Sequence, residues 1–123
     1  MNNQITKSNV QKTFDLIERT SKFGEEIIVF VQLVQINHIT KPIVSQLVRA
    51  GTSIGANYCE ATEANSKKDF RHKIGIARKE AKETMYWLQM ISKADSDNKS
   101  KARELWQEAH EFVLIFSAIH KKS

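Results

Sequence analysis

The 123 residues make one domain by length, and 41% hydrophobic with 27% charged residues excludes an intrinsically disordered chain. Four Gly and one Pro are too few for the turns of an all-β protein. The lone cysteine, Cys59, excludes an internal disulfide framework or zinc ribbon and fits a reducing cytoplasm. The net charge of +5 is modest, and its placement along the chain is more informative than its size.

The polar N-terminal stretch MNNQITKSNVQKTFD lacks the apolar core of a signal peptide. From about residue 8 to residue 36 the chain reads as a first helix. Val10, Phe14, Ile17, Gly24, Ile28 and Val31 recur at helical steps, and Leu16, Phe23, Ile27, Phe30 and Val34 widen that stripe. Beyond Ile27 the segment is apolar almost all round, so it needs cover from several helices or from another subunit. The run Ile27 to Ile36 is about half a bilayer span and includes Gln32 and Gln35, so a soluble cytoplasmic protein with no membrane role is expected.

A second helix is predicted over 42–63, with Pro42 in its first turn. Its Gly51 and Gly55 could belong to a phosphate-cradling loop. Such a loop needs a preceding strand and a following Gly-Lys-Ser/Thr, however, and PIVSQLVRA is helical in pattern. On a helix, Arg49, Ser53, Asn57 and Glu60 form a polar line opposite an apolar side carrying Leu47, Ile54 and Tyr58, notched by the two glycines. Each helical glycine costs about 1 kcal/mol relative to alanine, so a pair suggests close packing. The polar line is expected to be a structural hydrogen-bonded network, because it carries neither His nor Cys for acid–base work.

Ser66 followed by Asp69 resembles a capping box and opens a third helix over 66–93. Phe70, Ile74, Ala77, Ala81, Thr84, Leu88 and Ile91 give it a regular seam toward a bundle core. A polar turn leads to a fourth helix over 99–120, with Leu105, Ala109, Phe112, Phe116 and Ile119 on one face. The expected fold is all-α, an antiparallel up-down-up-down four-helix bundle in one domain spanning 1–123.

The excess charge belongs to the third helix. Lys67, Lys68, Arg71, Lys73, Arg78, Lys79 and Lys82 face only Asp69, Glu80 and Glu83 within that segment, while the rest of the chain is close to balance. Such a stripe either attracts polyanions, RNA or DNA through the backbone, or is a solvated helix face that meets an acidic protein partner. Tyr86, Trp87, Trp106 and Phe70 could stack on bases, although aromatics at helical spacing ordinarily fill a core. No catalytic residue, cofactor site or metal site is predicted. Cys59 and His72 are isolated, and neither His110 nor His120 has a carboxylate at di-iron bundle spacing.

LVRAGTSIGANYCEATEANSKKDFRHKIGIARKEAKE resembles the signature of the bacterial four-helix-bundle family named after 23S ribosomal RNA intervening sequences. Arg49, Ala50, Ser53, Ile54, Asn57 and Glu60 fall on its first motif, with one extra residue at Gly51–Thr52. Ile76, Ala77, Ala81 and Glu83 fall on its later helix. The resemblance implies a bundle assembled as a homopentamer, and it implies no particular biochemical activity. A related group, the accessory protein of diversity-generating retroelements, is a basic pentamer associated with nucleic acid. By this resemblance Arg49, Gly51, Ser53, Ile54, Gly55, Asn57 and Glu60 mark a structural interface.

Overall fold

The computed structural model describes residues 7–123, with side chains from Val10 onward, so the first six residues of the polar N-terminal stretch lie outside it. Its helices are α1 (Lys7–Val31), α2 (Thr40–Thr62), α3 (Lys67–Ala94) and α4 (Lys99–Lys122), with a 3₁₀ turn, Ser96–Asn98, before the last. They form the expected antiparallel four-helix bundle, all-α throughout the described residues. α2 and α3 share the broadest seam, while α1 leans on α2 and meets α4 only narrowly.

α1 stops at Val31, five residues short of the expected end at 36. The residues that follow are organised by the next helix. The Asn37 N–H donates to Thr40 Oγ1 and the Thr40 N–H donates to Asn37 Oδ1, both at 2.9 Å. The Thr40 hydroxyl donates in turn to the Gln35 carbonyl at 2.6 Å. This reciprocal pair has the pattern of a capping box with Thr where Glu or Gln is usual, and it fixes the turn into α2, while α1 itself closes in tight turns in which the Leu33 and Val34 N–H groups donate to the Phe30 and Val31 carbonyls. α2 therefore begins at Thr40, with Pro42 in its first turn. At the same end of the bundle, Asp95 accepts from Asn98 Nδ2 at 2.8 Å and from the Gln35 N–H at 3.4 Å, joining the two connections. Ser66 caps α3 as expected, accepting from the Asp69 N–H at 3.0 Å.

The core takes Phe23, Ile27 and Phe30 from α1, Leu47, Ile54 and Tyr58 from α2, Ile74, Ala77, Ala81, Leu88 and Ile91 from α3, and Leu105, Phe112 and Phe116 from α4. Phe23 meets Phe112 edge-to-face at 5.4 Å. On α1 the stripe expected to be buried is split: Gly24 is buried and Ile17 and Val31 pack against the core, but its other members do not. The stripe with the larger aromatic payload, Phe23–Ile27–Phe30–Val34, is buried, whereas Val10 (57% exposed), Phe14 (61%) and Ile28 (44%) face outward. α1 and α2 come close at the α2 glycines. A methyl at Gly51 would sit 2.9 Å from Ile27 Cγ1, and one at Gly55 would sit 3.1 Å from Thr20 Oγ1. The narrow α1–α4 edge is held by a fork, with Arg19 Nε and Nη2 each donating to one Glu108 oxygen at 2.7 Å and the guanidinium 5.2 Å above the Phe112 ring.

Candidate nucleic-acid interface

At about 100° per residue, Lys67, Lys68, Arg71, Arg78, Lys79 and Lys82 fall within a sector of α3 roughly 120° wide. All are exposed except Arg78, which is half-buried. Lys73 lies on the other side of the helix and bonds Glu60 of α2 at 2.7 Å, which holds its ammonium pKa above the ordinary lysine value. The acidic residues of the same segment also turn toward α2. Arg49 bridges Glu80 at 3.1 Å and Glu83 beside it. Partial burial disfavours the Arg49 charge, but the hydrogen bonds it donates to the Glu83 and Glu80 carboxylates outweigh that and raise its pKa above the ordinary arginine value.

This arrangement sorts charge across the helix. Carboxylates are neutralised along the α2 seam, and the cations left over face α4 and solvent. Among the described residues, none of the six basic side chains in the sector forms an ion pair. Arg78 Nε is buried without an acceptor in the protein.

α4 extends the basic surface. A groove of about 510 Å³ is lined by Lys68, Arg71, His72, Gly75, Lys79 and, from the end of α4, His120. Further along the α3–α4 seam, Lys99, Arg103 and Trp106 line a second groove of about 400 Å³. His120 was considered from sequence only as a metal ligand, and it takes the antiparallel register of α3 and α4 to set it beside Lys68, Arg71 and Lys79, whereas Lys99 and Arg103 face Leu88, Gln89 and Ser92 of α3. Of the aromatics, Tyr86 is 52% exposed and lies on the basic sector, one turn beyond Lys82. Trp87, Trp106 and Phe70 are half-buried against the core.

The polar line of α2 does not converge on a cavity. Ser53 Oγ donates to the Arg49 carbonyl and Asn57 Nδ2 to the Ser53 carbonyl at 2.8 Å, so both satisfy their own helix. Arg49 and Glu60 reach across to α3, while Gly51 and Gly55 are buried against α1 and Ile54 is buried in the core. Cys59 is a half-buried free thiol. Among the described residues no three His, Cys, Asp or Glu side chains are grouped to hold a metal.

A family profile described as "23S rRNA-intervening sequence protein" matches residues 12–118. The chain belongs to that family. The 23S rRNA-intervening sequence match spans the basic face of α3, both α2 glycines and most of α4. The fold is similar to that of a solved protein of unknown function from the S23 ribosomal protein family of Bacteroides thetaiotaomicron VPI-5482. The TM-score is 0.73 and the identity 29%, covering 85% of this chain and 97% of that one. No curated protein matches the sequence significantly. No helix of this intervening-sequence protein, among the described residues, is long and apolar enough to cross a membrane.

Proposed function

We propose that this chain is a non-enzymatic, oligomeric nucleic-acid-binding protein of the cytoplasm that holds RNA or DNA by its backbone along the α3–α4 face. The observation that carries the reading is the sector of six unpaired cations, sorted away from carboxylates that α2 neutralises. A surface needed only for solubility gains from interspersed charges of both signs, whereas a one-sided field attracts a polyanion and steers it on approach. Phosphate contacts of this kind position the nucleic acid without reading its bases.

Oligomerisation, as the pentamer expected from the family resemblance, would multiply that field. In support, the outer face of α1 exposes Val10, Phe14 and Ile28, and the α1–α2 corner exposes Leu33, Ile36 and Ile39 at 62%, 56% and 64%. Apolar surface of this extent on a small chain is a common mark of a protein interface. The same exposure supports a second reading, a protein-interaction scaffold without a nucleic-acid role.

Filter binding to RNA and DNA at low salt separates the readings. The wild-type protein is expected to retain both, and Arg71→Glu, Arg78→Glu and Lys82→Glu together are expected to abolish retention. No binding at low salt, or binding unchanged in the triple variant, refutes the nucleic-acid reading. Light scattering of the purified protein tests the assembly, and a monomer would contradict it.

A further inference from the structure

We infer that the nucleic acid held on this face is single-stranded and that Tyr86 is the platform on which one of its bases stacks. The inference rests on the backbone-binding reading above and adds to it the state of the strand.

Three observations converge on Tyr86. It is 52% exposed, whereas the other tyrosine, Tyr58, is buried in the core. It lies in line with Lys68, Lys79 and Lys82 on the outward side of α3, so the phosphates drawn to those cations would bring their bases to its ring. Its ring also has a supporting contact. The ring meets Trp87 edge-on at 4.9 Å, and Trp87 is itself packed against the core, so one side of the ring is supported and the side-chain entropy lost when a base arrives is reduced.

A duplex gives such a residue nothing to stack on, since its bases are already stacked inside the helix and only phosphates and groove edges are presented. An unpaired strand offers the face of every base, and a basic track with an exposed aromatic along it is the recurring arrangement for binding single strands without sequence preference. From Gly75 to Tyr86 the track is about 16 Å long at 1.5 Å per residue, room for several nucleotides. Its far end is the groove floored by Gly75. There the His120 ring lies 3.7 Å from where a Gly75 methyl would stand, among Lys68, Arg71 and Lys79, whose side chains would meet the phosphates.

The test compares binding of an oligouridylate with that of an RNA duplex of equal length, at one salt concentration, for wild type, Tyr86→Ala and Tyr86→Trp. The single strand is expected to bind more tightly than the duplex. Tyr86→Ala should weaken single-strand binding about 5- to 100-fold with little change for the duplex, and Tyr86→Trp should restore it. Because the side chain is exposed, all three proteins should melt alike by circular dichroism. Equal affinity for the two probes, or an alanine variant that binds like wild type, overturns the single-strand inference and leaves the backbone-binding reading standing. Failure of wild type to bind either probe at low salt overturns both.

Discussion

Replacing Gly51 with Ala tests how tightly α1 and α2 are joined. The added methyl would lie 2.9 Å from Ile27 Cγ1, 3.2 Å from Cγ2 and 3.3 Å from Cβ. Ordinary carbon contacts sit at about 3.5–4.0 Å, so the nearest one must open by roughly 0.6 Å. Ile27 is wholly buried and β-branched, which leaves its side chain little room to turn aside. The helices themselves must therefore separate. Alanine gains about 1 kcal/mol of helix propensity over glycine, and overpacking a core costs about 1–3 kcal/mol. The expected balance is a loss of about 1 kcal/mol, or roughly 3–5 °C in Tm for a chain of this size.

Gly75→Ala is the matched control, since its methyl meets nothing closer than 3.7 Å. It is expected to raise stability by about 0.5–1 kcal/mol through propensity alone. Thermal and urea unfolding followed at 222 nm measure both. A double-mutant cycle sharpens the assignment. Ile27→Ala alone should cost about 2–5 kcal/mol, but combined with Gly51→Ala it should cost about 1–2 kcal/mol less than the sum, because the new methyl enters the space vacated. Gly51→Ala as stable as Gly75→Ala, or strict additivity with Ile27→Ala, would refute the close-approach argument.

Other consequences can be checked in the same way. Asn37→Ala removes the side chain that accepts the Ile39 and Thr40 N–H groups and should cost about 0.5–2 kcal/mol in urea unfolding. Burial raises the Tyr58 pKa above that of a free tyrosine, so the folded state holds this proton more tightly than the unfolded chain. Its contribution to stability is complete below about pH 10 and is lost as pH rises beyond that, so wild type should lose stability above pH 10 more steeply than Tyr58→Phe. Identical pH profiles for the two would contradict this. Cutting the Arg19–Glu108 fork should show a coupling of about 0.5–1 kcal/mol in a double-mutant cycle, since both groups are partly exposed, and that coupling should shrink in high salt.

The bundle was legible in the sequence because each helix carries its own periodicity. The α3 seam is buried at every one of its positions from Ile74 to Ile91, and Ser66 caps where the Ser-x-x-Asp pattern placed it. Helix α1 was harder, since two adjacent stripes are both apolar and the choice between them depends on how α2 and α4 approach. Its end was also obscured, because an apolar run says nothing about Asn37 and Thr40 binding each other across the turn. The cationic segment was visible as composition. Its sorting was not, for it takes the α2–α3 register to turn Lys73 toward Glu60 and the α3–α4 register to bring in His120.

The most direct test of the account is the salt dependence of RNA binding. Single-strand affinity falls with a log–log slope of about −0.7 per phosphate neutralised, so six contacts from the α3 sector give a slope near −4 for each protomer's track. Wild type is expected to show that slope, reduced by about 2 or more when Arg71, Arg78 and Lys82 are reversed together. A slope near zero, or one that the reversal leaves unchanged, would contradict it.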